Sequence, residues 1–184
     1  PDGAAGTELD AVLHHPAVQR LESAARGIDL LCRAAPAGFE IEVLAATRAE
    51  LVARFRELVF DPRATGPAEA LPSLILADYD FSHRAGDLAI LRELAGLARI
   101  LQAPVVAGAS PGFFDFRHAA HVFALPDPGA RLAGAAHAGW REFQASDDAR
   151  WTALTINRFL QREPFVEEAT GHAEATDEGR PETF

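Results

Sequence analysis

Two segments of this chain carry residues whose types and spacing could do chemistry. Asp78-Tyr79-Asp80 follows the apolar run from Leu74 to Ala77, and Ser110 closes a second apolar run from Pro104 to Ala109. Ligands of open parallel sheets bind beyond the carboxyl ends of the strands, which is where these groups are expected to stand. Gly108-Ala109-Ser110-Pro111-Gly112 matches G-x-S-x-G between a strand and a helix start, the setting of a serine nucleophile. In that design the residue after the serine donates a backbone N–H to the oxyanion, and Pro111 has none. Losing one such donor costs about a hundred- to a thousandfold in rate, so Ser110 is expected to cap a helix that Pro111 opens.

Asp78 and Asp80 form a D-x-D pair on an apolar strand. In this they resemble the haloacid dehalogenase phosphotransferases, where such a pair serves as nucleophile and general acid/base around magnesium. Ser110 and the acidic pair Asp147-Asp148 would extend the likeness. That chemistry gathers negative charge that a protein cation normally offsets alongside the metal. The resembled family uses a lysine, whereas all 17 basic residues here are Arg. Asp147-Asp148 also follows Gln144-Ala145-Ser146 rather than an apolar strand. A magnesium-dependent phosphatase using Asp78 and Asp80 is therefore the alternative reading, and no cofactor or catalytic residue is expected.

Histidines offer a third chemistry. His14 and His15 are adjacent, so on a helix they point about 100° apart and do not share an ion. His83 and His137 are further candidates for metal binding, while His118 and His121, at i and i+3, share a face but have no third ligand nearby and are expected to cap or to face solvent. Cys32 is the only cysteine, which excludes an intrachain disulfide; it is expected to be a small buried hydrophobe.

The chain has 184 residues, is 48% hydrophobic and 24% charged, and has a formal net charge of −10, the balance of a globular domain. Phosphate-backbone binding needs concentrated positive charge, so a nucleic-acid partner is not expected. No run approaches the roughly 18 apolar residues of a membrane helix, and no signal-like start is present, so a cytoplasmic location and no membrane partner are expected. The chain lacks Met and begins with Pro1, as expected of a piece of something longer. From Glu163 onward seven acids face the single Arg180, so most of the negative charge sits in a segment poor in large apolar residues. Residues 166–184 are accordingly expected to be an acidic tail or linker, and residues 1–12 a flexible lead-in.

The elements that must position these groups follow from periodicity. Pro16 suits a first helical position, and Val18, Leu21, Ala25 and Ile28 recur at helical spacing, with Gly27 weakening the helix. Phe39 to Val43 alternates apolar and polar, predicting an edge strand. Thr47 and Glu50 form a capping box for a helix through Leu51, Phe55, Leu58 and Val59 that Pro62 should end, with a loop over residues 63–72. Residues 74–77 and 104–109 read as buried strands, and the helix between them shows apolar residues at 88, 90, 91, 94, 95, 97, 98 and 101 with Arg92, Gly96 and Arg99 as a narrow polar stripe, as only a largely buried helix can. Residues 117–145 are helical but broken, and 151–156 read as a fourth strand. The alternation predicts one α/β domain over 13–165, with about four strands flanked by helices.

Four blocks of this sequence, in order, carry a resemblance. They are LHHPAVQRLESAARGIDLL (13–31), LADYDFSHRAGDLAILRELAGLA (76–98), APVVAGASPGFF (103–114) and WREFQASDDARW (140–151) running on to Asn157-Arg158-Phe159-Leu160. They are similar to the large subunit of the type VI secretion contractile sheath, the TssC/VipB/EvpB/ImpC family, which is itself similar to phage-tail sheaths. His14, His15, Pro16, Arg26, Gly27, Asp78, Tyr79, Phe81, His83, Arg84, Ser110, Pro111, Trp140, Phe143, Ser146, Asp148, Arg150, Arg158 and Phe159 are its signature positions here. Ala25 stands where the family has Trp, Asn157 where it has Pro, and residues 162–165 replace an R-L-P-Y-G stretch. The resemblance implies a sheath-type, non-enzymatic domain in a bacterial cytoplasm. Its implied partners are the small sheath subunit (TssB/VipA type), further large-subunit copies, the inner tube protein and an AAA+ unfoldase.

With that resemblance, Asp78, Asp80, His83 and Arg84 are expected to fix a strand-to-helix corner, the acids taking the first helical N–H groups. Trp140, Phe143 and Trp151 should pack the domain. Arg141, Arg150 and Arg158 should fork to carboxylates such as Asp147 and Asp148. A chain ending here lacks the family's C-terminal half and alone should not build a sheath.

Overall fold

A computed structural model describes residue 9 and residues 11–64 and 71–156. The tail, the Arg158-Phe159 signature pair and all of the expected lead-in except residues 9, 11 and 12, which are helical, lie outside these residues. The chain divides into two compact units, Pro1–Glu42 with Arg158–Phe184, and Val43–Asn157.

In the first unit, helix α1 spans Pro16–Ala34. The His15 side chain accepts the Ala17 N–H at 3.2 Å, and Pro16 occupies the first helical position, where no donor is missed. Glu22–Arg26 and Asp29–Arg33 pair at i,i+4. No residue of α1 is buried, and Leu21 is among its exposed residues. Cys32 is exposed as well, which corrects the expectation of a buried thiol: the helix that carries it buries none of its side chains. Gly38, at φ 93°, supplies the left-handed turn that follows.

Residues 39–43 form no strand. Their alternation is real, yet Phe39 and Val43 are 68% and 64% exposed and the segment has no ladder partner among the described residues. Period-two patterning makes a segment able to pair; it does not provide the neighbour. The expected four strands are therefore three among the described residues.

The second unit holds a parallel sheet in the order β1-β2-β3, with β1 at Ile75–Phe81, β2 at Val105–Ala109 and β3 at Thr152–Thr155. The β1 strand is longer than its apolar run, so Asp78 and Asp80 lie inside it rather than beyond its end. Ala77 pairs with Ala107 and Asp80 with Gly108, leaving Asp78 and Tyr79 without counterparts in β2. An insertion of two residues keeps the faces in phase. Phe81 and Ala109, paired beyond it, are both buried.

Helix α2 (Leu51–Phe55) begins after the Thr47–Glu50 box, in which the Thr47 hydroxyl and N–H both donate to the Glu50 carboxylate. The chain then widens into a π turn over Arg56–Phe60 and continues helically through Asp61–Ala64. Pro62 thus does not end the helix. Its ring clashes with the carbonyl four residues back in a regular helix, and widening to i→i−5 bonding, Asp61 N–H to Arg56 carbonyl, lets the chain carry it.

Helix α3 (Ala85–Leu101) joins β1 to β2 and covers one face of the sheet. Leu88, Leu91, Leu94, Leu97 and Leu101 are buried with Ala95 and Ala98. At roughly 1.5–3 kcal/mol per fully buried leucine, this helix is a principal source of the unit's stability. The helix ends at Gln102, which takes the left-handed conformation at φ 55° and returns its N–H to Ala98 and Arg99. Its polar stripe meets the next elements. Arg92 donates to the Gly139 carbonyl at 3.0 Å, and Arg99 pairs with Asp148 at 2.6 Å.

Short helices α4 (Ala119–Phe123), α5 (Pro128–Leu132) and α6 (Ala138–Gln144) follow, with 3₁₀ turns at Pro111–Phe114, Ala135–His137 and Asp147–Trp151. Phe113 meets Trp140 edge-on at 4.8 Å, and Trp140 lies 5.6 Å from Phe143. Trp151 packs half-buried against the same core as Phe143, so the expected aromatic set does pack the domain.

Candidate functional site

Two polar clusters occupy the carboxyl edge of the sheet, both within the second unit. The first is built around Asp87, in the first turn of α3. Its Oδ2 accepts the Ser82 N–H and hydroxyl, each at 2.7 Å, and its Oδ1 meets Arg48 Nη1 at 2.7 Å. Arg48 Nη2 donates to the Asp80 carbonyl at 2.6 Å, while the guanidinium lies over Tyr79 and Phe81. The Tyr79 hydroxyl donates to the Ala46 carbonyl. Burial pushes the Asp87 carboxyl up, but the Ser82 bonds and the Arg48 charge outweigh it and hold the group below its ordinary value. Burial raises Tyr79, which keeps its donor proton.

The corner is therefore not braced as expected. Arg84 is the N-cap of α3 and makes no side-chain cap bond. The acid that fixes the corner is Asp87, reaching back to the Ser82 N–H ahead of the helix. Asp78 and Asp80 cannot serve the helix N-terminus because the strand still carries them.

The second cluster joins three turns. His83 follows β1, Asp115 follows the 3₁₀ turn after β2, and His137 ends a later 3₁₀ turn. His83 Nε2 lies 2.8 Å from Asp115 Oδ1, and the two imidazole rings are 4.2 Å apart. His137, 1% exposed, has Nε2 at 2.8 Å from the Phe113 carbonyl, so that nitrogen carries the proton in the neutral ring. Its Nδ1 is buried with no hydrogen-bond partner. Arg131 Nη2 stands 3.5 Å from Asp115 Oδ2. The bond from His83 holds the Asp115 carboxyl below its usual range, helped by the His137 and Arg131 charges against a smaller burial effect. Asp115 itself sits at φ 62°.

The remaining predicted positions scatter. Asp78 is exposed. The Asp80 carboxylate lies against Gly108, where an added Cβ would fall 2.1 Å from Oδ1. Both point to the sheet face opposite α3, while Asp148 pairs with Arg99 on the α3 side and Asp147 with Arg150 at 3.6 Å. The residues that a D-x-D phosphatase would gather thus lie on opposite sides of the sheet. Ser110 ties the strand ends through its backbone, donating its N–H to the Phe81 carbonyl at 2.9 Å, and it precedes the 3₁₀ turn that Pro111 opens. Ser146 Oγ donates to the Phe143 carbonyl at 2.6 Å. Arg141 forks to backbone carbonyls, Leu132, Ala133 and Gly134, instead of carboxylates, because the end of α5 presents those orphan acceptors to it. His118 and His121 rings are 6.0 Å apart and gather no third ligand among the described residues.

Sequence reasoning missed Asp87, Asp115 and Arg48. Asp87 left a local trace, an acid in the first helical turn five residues after Ser82. Arg48 and Asp115 lie 39 and 32 residues from their partners and left none.

A family model, VipB, described as EvpB/VC_A0108, tail sheath N-terminal domain, matches residues 69–178, more than half of the chain. The chain is also 26% identical over 182 residues to the type VI secretion system sheath protein TssC1 of Pseudomonas aeruginosa, an alignment covering 86% of this chain and 35% of that protein. It thus spans about a third of the length of this curated relative. The matched span includes the second, third and fourth of the four sequence blocks and all three strands. The chain belongs to the VipB family of tail sheath N-terminal domains.

Proposed function

We infer that this chain is the N-terminal portion of a large subunit of a type VI contractile sheath, with a mechanical rather than a catalytic role. The observation that carries this reading is the match of a tail-sheath family model across the whole sheet and its carboxyl edge. Polar residues at that edge act as ties in this reading. Asp87, Ser82 and Arg48 lock β1 to α3 and to the segment before α2, and the signature residues His83, Ser110, Trp140 and Phe143 hold the turns that follow. A sheath wall transmits force through such ties, so rigid corners suit it.

The full-length parent would assemble with a small sheath subunit and with further large subunits around an inner tube, in the bacterial cytoplasm. Energy would be held in the extended wall and released when subunits repack, with an AAA+ unfoldase recycling the contracted form. No described helix is long and apolar enough to cross a membrane, which is compatible with that setting. Co-expression of the full-length parent with the small subunit encoded beside it tests the proposal. Tubules of uniform diameter in electron micrographs are expected, and two separately purified, non-associating proteins would refute it.

A further inference from the structure

The His83–Asp115–His137 cluster is not accounted for by the tying role alone. Among the described residues it is the group of three potential ligands whose donor atoms all lie within 4.8 Å of one another. His137 is almost wholly buried and turns its Nε2 toward Asp115, 4.0 Å from Oδ2, with the Phe113 carbonyl 2.8 Å away. Asp115 is held in the left-handed region, which disfavours a side chain, and the conformation accompanies a carboxylate that contacts both the His83 ring and Arg131. Access is also present, because the Asp115 side chain is 38% exposed while those of His83 and His137 are 13% and 2%.

The geometry points to a binding site for one divalent transition-metal ion of the zinc class, held by the imidazoles of His83 and His137 and the carboxylate of Asp115. Two imidazole nitrogens and one carboxylate oxygen match such ions better than magnesium or calcium, which prefer all-oxygen shells. Donors on a tetrahedral zinc ion stand about 3.3 Å apart, given metal–ligand distances near 2.0–2.1 Å. His83 Nε2 and Asp115 Oδ1, at 2.8 Å, would open slightly, and His137 Nε2 and Asp115 Oδ2, at 4.0 Å, would close. The ion competes with the His83–Asp115 and His137–Phe113 hydrogen bonds and with the Arg131 charge, so binding is modest and releases protons. It would clamp the turns after β1, after β2 and before α6 into one unit. The inference rests on the second unit alone and stands apart from the sheath reading.

Titration of the chain with cobalt(II) alone tests it. One equivalent should bind with the visible absorption of a four-coordinate ion, and zinc(II) should displace it. His83→Gln and Asp115→Asn should each weaken binding at least about tenfold, the loss seen even for outer-shell partners. Exchanging His118 and His121 for Gln should leave the band intact. Arg131→Gln removes the competing cation without touching a ligand and should tighten binding, a readout that survives if a ligand variant folds poorly. No saturable band, or a band that persists in the His83 and Asp115 variants or vanishes with the His118/His121 pair, overturns the site.

Discussion

Arg48 and Asp87, 39 residues apart in the chain, meet at 2.7 Å, and the same guanidinium reaches the Asp80 carbonyl at 2.6 Å. One side chain thereby holds the start of α3 and the end of β1 together. Hydrogen bonds to charged groups contribute about 1.5–3 kcal/mol each, so Asp87→Ala, which also orphans the Ser82 N–H, should lower the unfolding free energy by roughly 2–4 kcal/mol. Arg48→Lys should not rescue an Arg48→Ala loss fully, because an ammonium lacks the fork that serves two acceptors. Urea denaturation of the three variants measures both effects.

The same carboxylate sets a pH dependence. Asp87 and Asp115 both titrate below their ordinary value of 3.8 in the folded chain. Between the folded and unfolded pKa values the unfolded chain binds more protons, so stability rises with pH across that window. The contribution is present above about pH 4 and is lost as pH falls through the lowered values. Asp87→Asn should flatten the fall in urea midpoint between pH 5 and 3 relative to the parent chain.

Gly108 faces the Asp80 carboxylate so closely that an added Cβ would fall 2.1 Å from Oδ1 and 3.2 Å from the Tyr79 carbonyl oxygen. Gly108→Ala should destabilise by about 1–3 kcal/mol. The cost should shrink in an Asp80→Ala background, where only the backbone oxygen remains close. A double-mutant cycle by chemical denaturation reads this coupling directly.

Gln102 ends α3 at φ 55°, a conformation costing a residue with a Cβ roughly 1 kcal/mol relative to glycine. Its side chain is exposed, so nothing is lost from the core on replacement. Gln102→Gly should raise the melting temperature by about 2–4 °C for a chain of this size. Calorimetry or circular dichroism melting tests it.

Asp78 is exposed and separated by the sheet from the Arg99–Asp148 pair. Magnesium-dependent turnover of a generic phosphate ester by the chain should therefore not exceed that of Asp78→Asn. Activity that disappears in the variant would restore the phosphatase reading.

The parts legible in the sequence were those written in local periodicity. The run at 74–77, the helix with apolar residues on most of its surface and the run at 104–109 gave a strand, a crossover helix and a strand because burial on both faces leaves few polar positions. Trp140 and Phe143 were legible for the same reason. The segment 39–43 misled because alternation reports an ability to pair, not a partner. Pro62 misled because a π turn, invisible in composition, relieves the clash that would end the helix. Asp78 and Asp80 look like corner residues in the sequence because polarity there resembles a strand end, whereas the solvated face of β1 admits acids along its length. The true corner acid, Asp87, and the histidine partner, Asp115, depend on contacts between distant segments that no window of sequence contains.

Among the described residues β1 has a strand neighbour on one side only, and Leu74 and Leu76 beside that open edge are each 50% exposed. A regular open edge is a template for indiscriminate pairing of copies. The unmatched Asp78 and Tyr79 break the rhythm of the rim halfway along, and two carboxylates guard it at that point. A visiting chain pairing along the first few residues would meet that two-residue irregularity and lose register there.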